Sequence, residues 1–314
     1  MAVLESVPNV SEGRDASAIA AIADAFGRPG ARVLDTHLDG DHNRAVITLV
    51  GDETALEDGL VSGIDEARRR IDLRVHQGVH PRVGAADVVP VVPLVPEELG
   101  RAVDVARAVG ARVGEELGLP VFLYGEVGEG RRPAFFRRGG PSELQRRVDA
   151  GELEPAYGPR RLDPAGGAVL LGVRQPLVAF NLELRGTLGV ARDVAAAVRE
   201  SSGGLPGVQA LGLRLGSGRI QVSTNVIDLD ATPLHAMVER ITAEAVARGA
   251  EAGPGELVGL LSARSVADAA RAAGIGDPLD DRGVPTEAAL EAAARALHLE
   301  RLEPDRVLEW HLTG

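Results

Sequence analysis

VQALGLRLGSGRIQVSTNVIDL, Val208 to Leu229, is two runs of strand-forming residues joined by Gly216-Ser217-Gly218. Such runs read as strands, and a short glycine-containing connection between them reads as a hairpin. On the N-terminal side, QPLVAFNLEL (Gln175 to Leu184) reads as a further strand, and Thr187 caps a helix that carries Val190, Val194 and Val198 at helical spacing. On the C-terminal side, Thr232-Pro233 reads as an N-cap followed by proline at the first helical position, ahead of Leu234, Val238, Ile241 and Ala245. ELVGLL (Glu256 to Leu261) supplies a last strand. The order is βαββαβ, the split βαβ pattern of a ferredoxin-like layer.

The first half of the chain follows the same order. VLESVPNV (Val3 to Val10), ARVLDTHL (Ala31 to Leu38) and NRAVITLVG (Asn43 to Gly51) read as strands, with a helix through Ile19, Ile22 and Phe26 between the first two. Asp52 caps a second helix through Leu56, Leu60, Ile64, Ala67 and Ile71. Then come a strand at Val88 to Leu94, a helix from Pro96 to Leu117, a strand at Val121 to Glu126 and a polar stretch, VGEGRRPAFFRRGGPSELQRR. A segment rich in Gly and Pro, Glu152 to Val169, leads into the second half, and the region from Ala263 onward reads as helical around a loop at Asp277 to Thr286. The expected fold is α+β: two ferredoxin-like α/β subdomains, residues 1–174 and 175–314, each a βαββαβ-type sheet with helices on one face.

Composition narrows the chemistry. All 34 basic residues are arginine, and cysteine is absent. A chain without lysine forms no protein Schiff base, and one without cysteine has no thiol nucleophile, cysteine zinc site or disulfide. A formal net charge of −12 argues against nucleic acid as a partner. The N-terminal residues lack the basic start and apolar run of a signal peptide, and no stretch approaches the roughly 20 apolar residues of a membrane span. The expectation is a cytoplasmic protein without a membrane partner.

VHQGVHPRVGAADVVP, Val75 to Pro90, holds two of the seven histidines. His76 and His80 have the four-residue spacing of a zinc-protease helix, but Gln77 stands where that motif needs glutamate, and Gly78 and Pro81 oppose a helix. No metal is expected. Pro81 biases His80 toward extended backbone, on a loop entering the next strand, where an imidazole can serve as a general base near neutral pH.

Taken in order, VPNVSEGRD, DHNRAVITLVG, HQGVHPRVGAADVVPVVP, VFLYGE, LVAFNLEL, QVSTNVIDLDATPLH and DRVLEWHL resemble the formiminotransferase family. The resemblance runs from Val7 to Leu312 and covers the transferase part only, without the cyclodeaminase domain of the vertebrate bifunctional enzyme. It implies two α/β subdomains with folate and substrate in a tunnel between them, and a homodimer. It places the family's catalytic base on His80 and its folate loop on Gly158, Pro159, Arg160, Arg161, Leu162, Asp163, Pro164, Ala165, Gly166 and Gly167. The acid that assists the histidine falls, counted back from Asn43-Arg44, on His37, which leaves Asp35, Asp39 and Asp41 as alternatives.

The reaction so implied moves a formimidoyl group from N-formimidoyl-L-glutamate to N5 of tetrahydrofolate, a co-substrate, giving 5-formimidoyltetrahydrofolate and L-glutamate. One imidazole can take the proton of the attacking amine and return it to the departing nitrogen, with no metal and no covalent intermediate. Both substrates are polyanions, so arginines should meet their carboxylates. Arg44 and Arg82 are the candidates beside the histidine, with Asn43 next to them and Asn181 and Asn225 on second-half strands. Formyl transfer between 5-formyltetrahydrofolate and glutamate is the alternative within enzymes. A non-catalytic folate-binding or small-ligand-binding protein is the alternative outside them.

Overall fold

The structure is a computed structural model, describing residues 3–28, 30–78 and 81–313. It divides into two compact units, Met1–Pro176 and Leu177–Gly314.

The first unit opens with β1 (Leu4–Ser6) and β2 (Asn9–Val10), followed by α1 (Ala16–Phe26), β3 (Arg32–Asp39), β4 (Arg44–Gly51), α2 (Glu53–Arg70) and β5 (Ala86–Val92). The expected first strand is thus two short ones, because Pro8 has no amide hydrogen for the ladder. Both pieces lie between β4 and β5 and pair antiparallel with each. With β3 on the outer side of β4, these strands make the ferredoxin-like order.

Glycine sets how closely the two helices approach. Gly59 and Gly63 of α2 face Phe26, and a Cβ at Gly63 would overlap its ring. A glycine inside a helix costs about 1 kcal/mol, whereas complete burial of a phenylalanine side chain contributes roughly 1.5–3 kcal/mol. Phe26 is fully buried, a gain that offsets the cost of the two glycines.

The sheet then grows beyond the expectation. After α3 (Leu99–Glu116) and β6 (Val121–Gly125), the polar stretch folds into α4 (Pro133–Arg137) and α5 (Gly140–Asp149), and β7 (Val169–Val173) inserts between β5 and β6, parallel to both. The Gly/Pro-rich segment before β7 therefore lies inside the first unit. Helices also cover both faces here, not one. Leu171 and Val173 point into the core built on α1 to α3, while Phe122, Tyr124 and Leu170 pack with Phe136, Leu144 and Val148 of α4 and α5.

The second unit runs β8 (Val178–Arg185), α6 (Leu188–Val198), β9 (Val208–Arg214), β10 (Ile220–Val226), α7 (Leu234–Val246) and β11 (Glu251–Val258), with the sheet order β11-β8-β10-β9. The quoted hairpin is present, with Ile220 opposite Arg214 at its closed end. Thr187 caps α6 through Val190 N, as its position suggests. Thr232 does not cap α7, because its hydroxyl donates to Pro206 O at 2.8 Å and Pro233 occupies the cap position. β11 starts five residues before the expected strand and bulges between Ala252 and Gly255, around Pro254. Beyond it, α8 (Ala263–Ala272), α9 (Glu287–Ala296) and α10 (Leu308–Leu312) complete the unit, with Val266, Ala293 and Leu297 joining its core.

Candidate active site

Three separated stretches of sequence meet where β2 ends. Ser11 donates its backbone N–H to Ala85 O and its hydroxyl to Gly84 O, at 2.8 and 2.7 Å. The Glu12 carboxylate turns back to accept the backbone N–H groups of Gly13, Arg14 and Asp15, and Asp15 in turn caps α1. Gly13 rests against the backbone of Asp39 and Arg44 so closely that a Cβ would overlap both. Its N–H also reaches Asn43 Oδ1 at 2.9 Å.

Asn43 stands at φ 49°, a left-handed conformation that asparagine tolerates better than most residues. Its buried amide also donates to Gln77 O at 2.8 Å. A Cβ on Gly78 would lie 2.6 Å from His42 O and 2.7 Å from Arg82 Nη2. The segments SEGRD, DHNR and HQG-x-x-PRVG therefore form one hydrogen-bonded assembly. Val79 and His80 lie outside the described residues; both of their flanks, Gly78 and Pro81-Arg82, belong to the framework just described.

The charges gather on one face of this framework. In the β3–β4 ladder Asp39 stands opposite Arg44, His37 opposite Val46 and Asp35 opposite Thr48, so these side chains share one face of the sheet. Burial opposes ionisation of Asp39, yet hydrogen bonds from the ring and backbone N–H of His42 prevail and hold its carboxyl below the usual range. The Arg44 guanidinium is pushed down to about 9, first by burial and then by repulsion from Arg137 and, more weakly, Arg82, with Asp87 and Asp39 opposing. It still carries its charge at neutral pH.

Arg82 lies against the imidazole of His76, with Nη1 2.7 Å from Nε2. Burial and then the Arg82 charge lower the His76 value, which favours the neutral ring. Arg82 is itself lowered by burial, then by Arg137 and Arg14, against the pull of Asp87.

Asp87, at the start of β5, links these groups. Its carboxylate is 4 % exposed, accepts Val83 N at 2.7 Å and Gly84 N at 3.2 Å through Oδ1, and is ion-paired through Oδ2 with Arg137 Nη2. One buried acid thus fixes both the turn after Arg82 and a third guanidinium. Neither Asp87 nor Arg137 stands out in the sequence. Arg137 is one of six arginines in a polar stretch, and only its Phe135-Phe136 neighbours hint at a buried helix there.

The loop from Gly158 to Gly167 is stitched to the same region. Gly158 and Gly167 have φ of 77° and 72°, and a Cβ would overlap Leu119 O at the first and Val83 O at the second. Between them Asp163 Oδ1 accepts Ala165 N and Gly166 N, at 2.9 and 2.5 Å, and shapes the turn. Leu73 N donates to Ala165 O, Ala85 N to Gly166 O, and Ala168 N to Val83 O, at 2.8 to 2.9 Å. These bonds attach the loop to both sides of the His80 segment. A cavity of about 800 Å³ opens beside it, lined by Leu73, Ser142, Gln145, Asp149, Pro164 and Arg160 to Asp163 among others. That volume is of the size that takes a drug-sized ligand. Gln145 accepts Leu162 N at 2.8 Å, while Arg160 donates to Glu154 at 2.5 Å and to Val148 O at 2.7 Å.

Asn181 and Asn225 belong to the second unit, on the face of its sheet away from the α6–α7 core. Asn181 is buried and donates to Glu256 Oε2 at 2.9 Å across the β8–β11 ladder; Asn225 is half-buried. The neighbouring Gln221, on the same face, is 5 % exposed and its Nε2 has no hydrogen-bond partner. Among the described residues, no group of three or more His, Asp or Glu side chains is placed to hold a metal ion.

Comparison with known proteins covers both units. Residues 3–174 match the formiminotransferase domain, N-terminal subdomain, and residues 179–273 match the formiminotransferase domain. A glutamate formimidoyltransferase of Thermoplasma acidophilum is 36% identical over 86% of this chain and 92% of its own length. One of Streptococcus pyogenes serotype M1 is 34% identical over 85% and 92%. The formimidoyltransferase-cyclodeaminase of Gallus gallus is 38% identical over 85% of this chain, a match that spans 52% of the avian protein. With both subdomains matched and relatives of this identity aligned over most of its length, the chain belongs to the formiminotransferase family.

Proposed function

We propose that this protein transfers the formimidoyl group of N-formimidoyl-L-glutamate to N5 of tetrahydrofolate, with His80 as the general base. The observation that carries the reading is the assembly of the first unit. The loop that the sequence resemblance assigns to folate is hydrogen-bonded to both sides of the His80 segment, beside a group of half-buried arginines.

N5 of tetrahydrofolate adds to the amidine carbon of the donor, and His80 removes the proton that N5 loses. The same proton passes to the glutamate nitrogen as the bond from that nitrogen to the amidine carbon breaks, so the products are 5-formimidoyltetrahydrofolate and L-glutamate. Arg82, two residues after the base, receives one donor carboxylate, with Arg44 of β4 adding its charge nearby. Asn43 contributes by holding the turn beside them, since its amide joins Gly13 to Gln77. Residues Gly158 to Gly167 bind the folate, with Arg160 and Arg161 near its glutamate tail. Of Asp35, Asp39 and Asp41, Asp39, opposite Arg44, is our choice for the assisting acid. In the second unit, Asn181 and Asn225 are the proposed substrate-binding residues. The protein would act in the cytoplasm as a homodimer and need no metal.

The direct test supplies purified protein with both substrates in the presence of a chelator and quantifies products by chromatography. Equimolar 5-formimidoyltetrahydrofolate and L-glutamate are expected. Turnover with 5-formyltetrahydrofolate and glutamate alone would assign formyl transfer instead, and folate binding without turnover of either kind would assign a binding protein.

A further inference from the structure

Arg137 is held more firmly than its place in a polar stretch suggests. Phe136 is 1 % exposed, packs 5.6 Å from the ring of Phe122 and anchors α4 in the core. Arg147 donates to Phe135 O at 2.8 Å and lays its guanidinium over the Phe135 ring. So fixed, Arg137 points to Asp87, and its side chain is 13 % exposed. Nη2 is ion-paired with the Asp87 carboxylate, yet Nε is buried with no hydrogen-bond partner. A buried donor left unmatched is costly, and a guanidinium presents its donors as a planar fork suited to a carboxylate.

Arg137 is also close enough to Arg44 and Arg82 to repel both. Asp87 is ion-paired with Arg137, and its charge also offsets those of Arg44 and Arg82, so an incoming anion would be favoured in this region. The donor carries two carboxylates. The one beside the reacting nitrogen must lie near the base, within reach of Arg82. The distal one needs a separate partner, and Arg137 engages Oδ2 of Asp87 while the turn that follows Arg82 engages Oδ1.

We propose that Arg137 is a specificity-determining residue that receives the distal, γ-carboxylate of the glutamate donor, and that Asp87 is the positioning residue that aims it. The assignment rests on the transfer reading above and goes beyond it by naming what distinguishes glutamate from a neutral side chain of the same shape.

The experiment measures Michaelis constants for N-formimidoyl-L-glutamate, N-formimidoyl-L-glutamine and tetrahydrofolate in the wild type, Arg137→Gln, Arg137→Lys and Asp87→Asn, with thermal melts to establish folding. Wild-type protein should prefer the glutamate donor by about 10- to 100-fold, the range for a charged hydrogen-bond partner. Arg137→Gln should lose most of that preference while the tetrahydrofolate constant stays within about twofold. Arg137→Lys, which keeps charge without the fork, should fall between, and it carries the test should the glutamine variant fail to fold. Asp87→Asn should weaken the preference without removing it. A preference that persists in Arg137→Gln, or a rise in the tetrahydrofolate constant instead, would overturn the assignment. Should the wild type turn over neither donor, the transfer reading fails, and calorimetric titration with L-glutamate decides separately. Binding that Arg137→Gln abolishes keeps the carboxylate site, and no binding, or binding that the variant retains, removes it.

Discussion

Arg44 and Arg82 share a surrounding that raises the cost of their charge and so the value of an anion brought to them. Replacing Arg82 by glutamine should leave a donor carboxylate without its partner at a half-buried position, at about 2 kcal/mol in transition-state binding. Most of it should appear as a raised KM for the donor, whereas Arg271→Gln, on the exposed side of α8 beside Asp268, should change neither constant. A collapse in thermal stability for Arg82→Gln would instead make this arginine a support of the loop. Burial and the neighbouring arginines disfavour the Arg44 charge, yet a guanidinium keeps it, so Arg44→Gln should weaken donor binding. Of this surrounding, Asn43, Arg44 and Arg82 could be picked out in the sequence because they sit in compact motifs beside one another or a few residues apart. Asp87 and Arg137, separated by 50 residues, could not, since only the packing of α4 against the sheet brings them together.

At the scale of elements, residue periodicity revealed the strands and helices that bury one regular face, and it failed where tertiary packing overrode local character. The α4–α5 stretch reads as polar because its helices are short and bury few side chains, Phe136, Leu144, Arg147 and Val148. β7 looked like the end of a Gly/Pro linker, although its five residues are all buried between two parallel neighbours. The glycines that close the 158–167 loop are the more instructive case, since their backbone conformation, not a side chain, sets the course of the loop. Gly167→Ala would place a Cβ onto Val83 O at a positive φ, pushing the loop away from the His80 segment. The expected result is a raised KM for tetrahydrofolate of about tenfold and a loss of roughly 1–3 kcal/mol in stability. Ala165→Gly, in the same turn, keeps the hydrogen bonds and should be mild in both measurements. Equal effects from the two would mean that the loop's position is unimportant to folate.

At the scale of the whole molecule, the net charge of −12 opposes two anionic substrates, so attraction must be local. Added salt screens long-range repulsion more than contacts in a partly buried cleft. The kcat/KM for the donor should therefore hold or rise between low and physiological ionic strength; a steep fall would mean that exposed arginines, not the buried ones, recruit it. The two units, each with its own core and its own βαββαβ order, were legible because the hairpin at Val208 to Leu229 fixes the repeat. Of the first unit's extensions, α3 and β6 were legible as well, whereas α4, α5 and β7 were not, since polar and Gly/Pro-rich stretches hide short buried elements. What remains central is the base. The decisive measurement compares single-turnover formation of 5-formimidoyltetrahydrofolate by the wild type, His80→Ala and His76→Ala at saturating substrates. Loss of a general base should slow His80→Ala by about 100-fold or more with tetrahydrofolate affinity retained. His76→Ala, which only removes the ring against which Arg82 rests, should alter mainly the KM for the donor. A His80→Ala rate within a few-fold of the wild type would contradict the account.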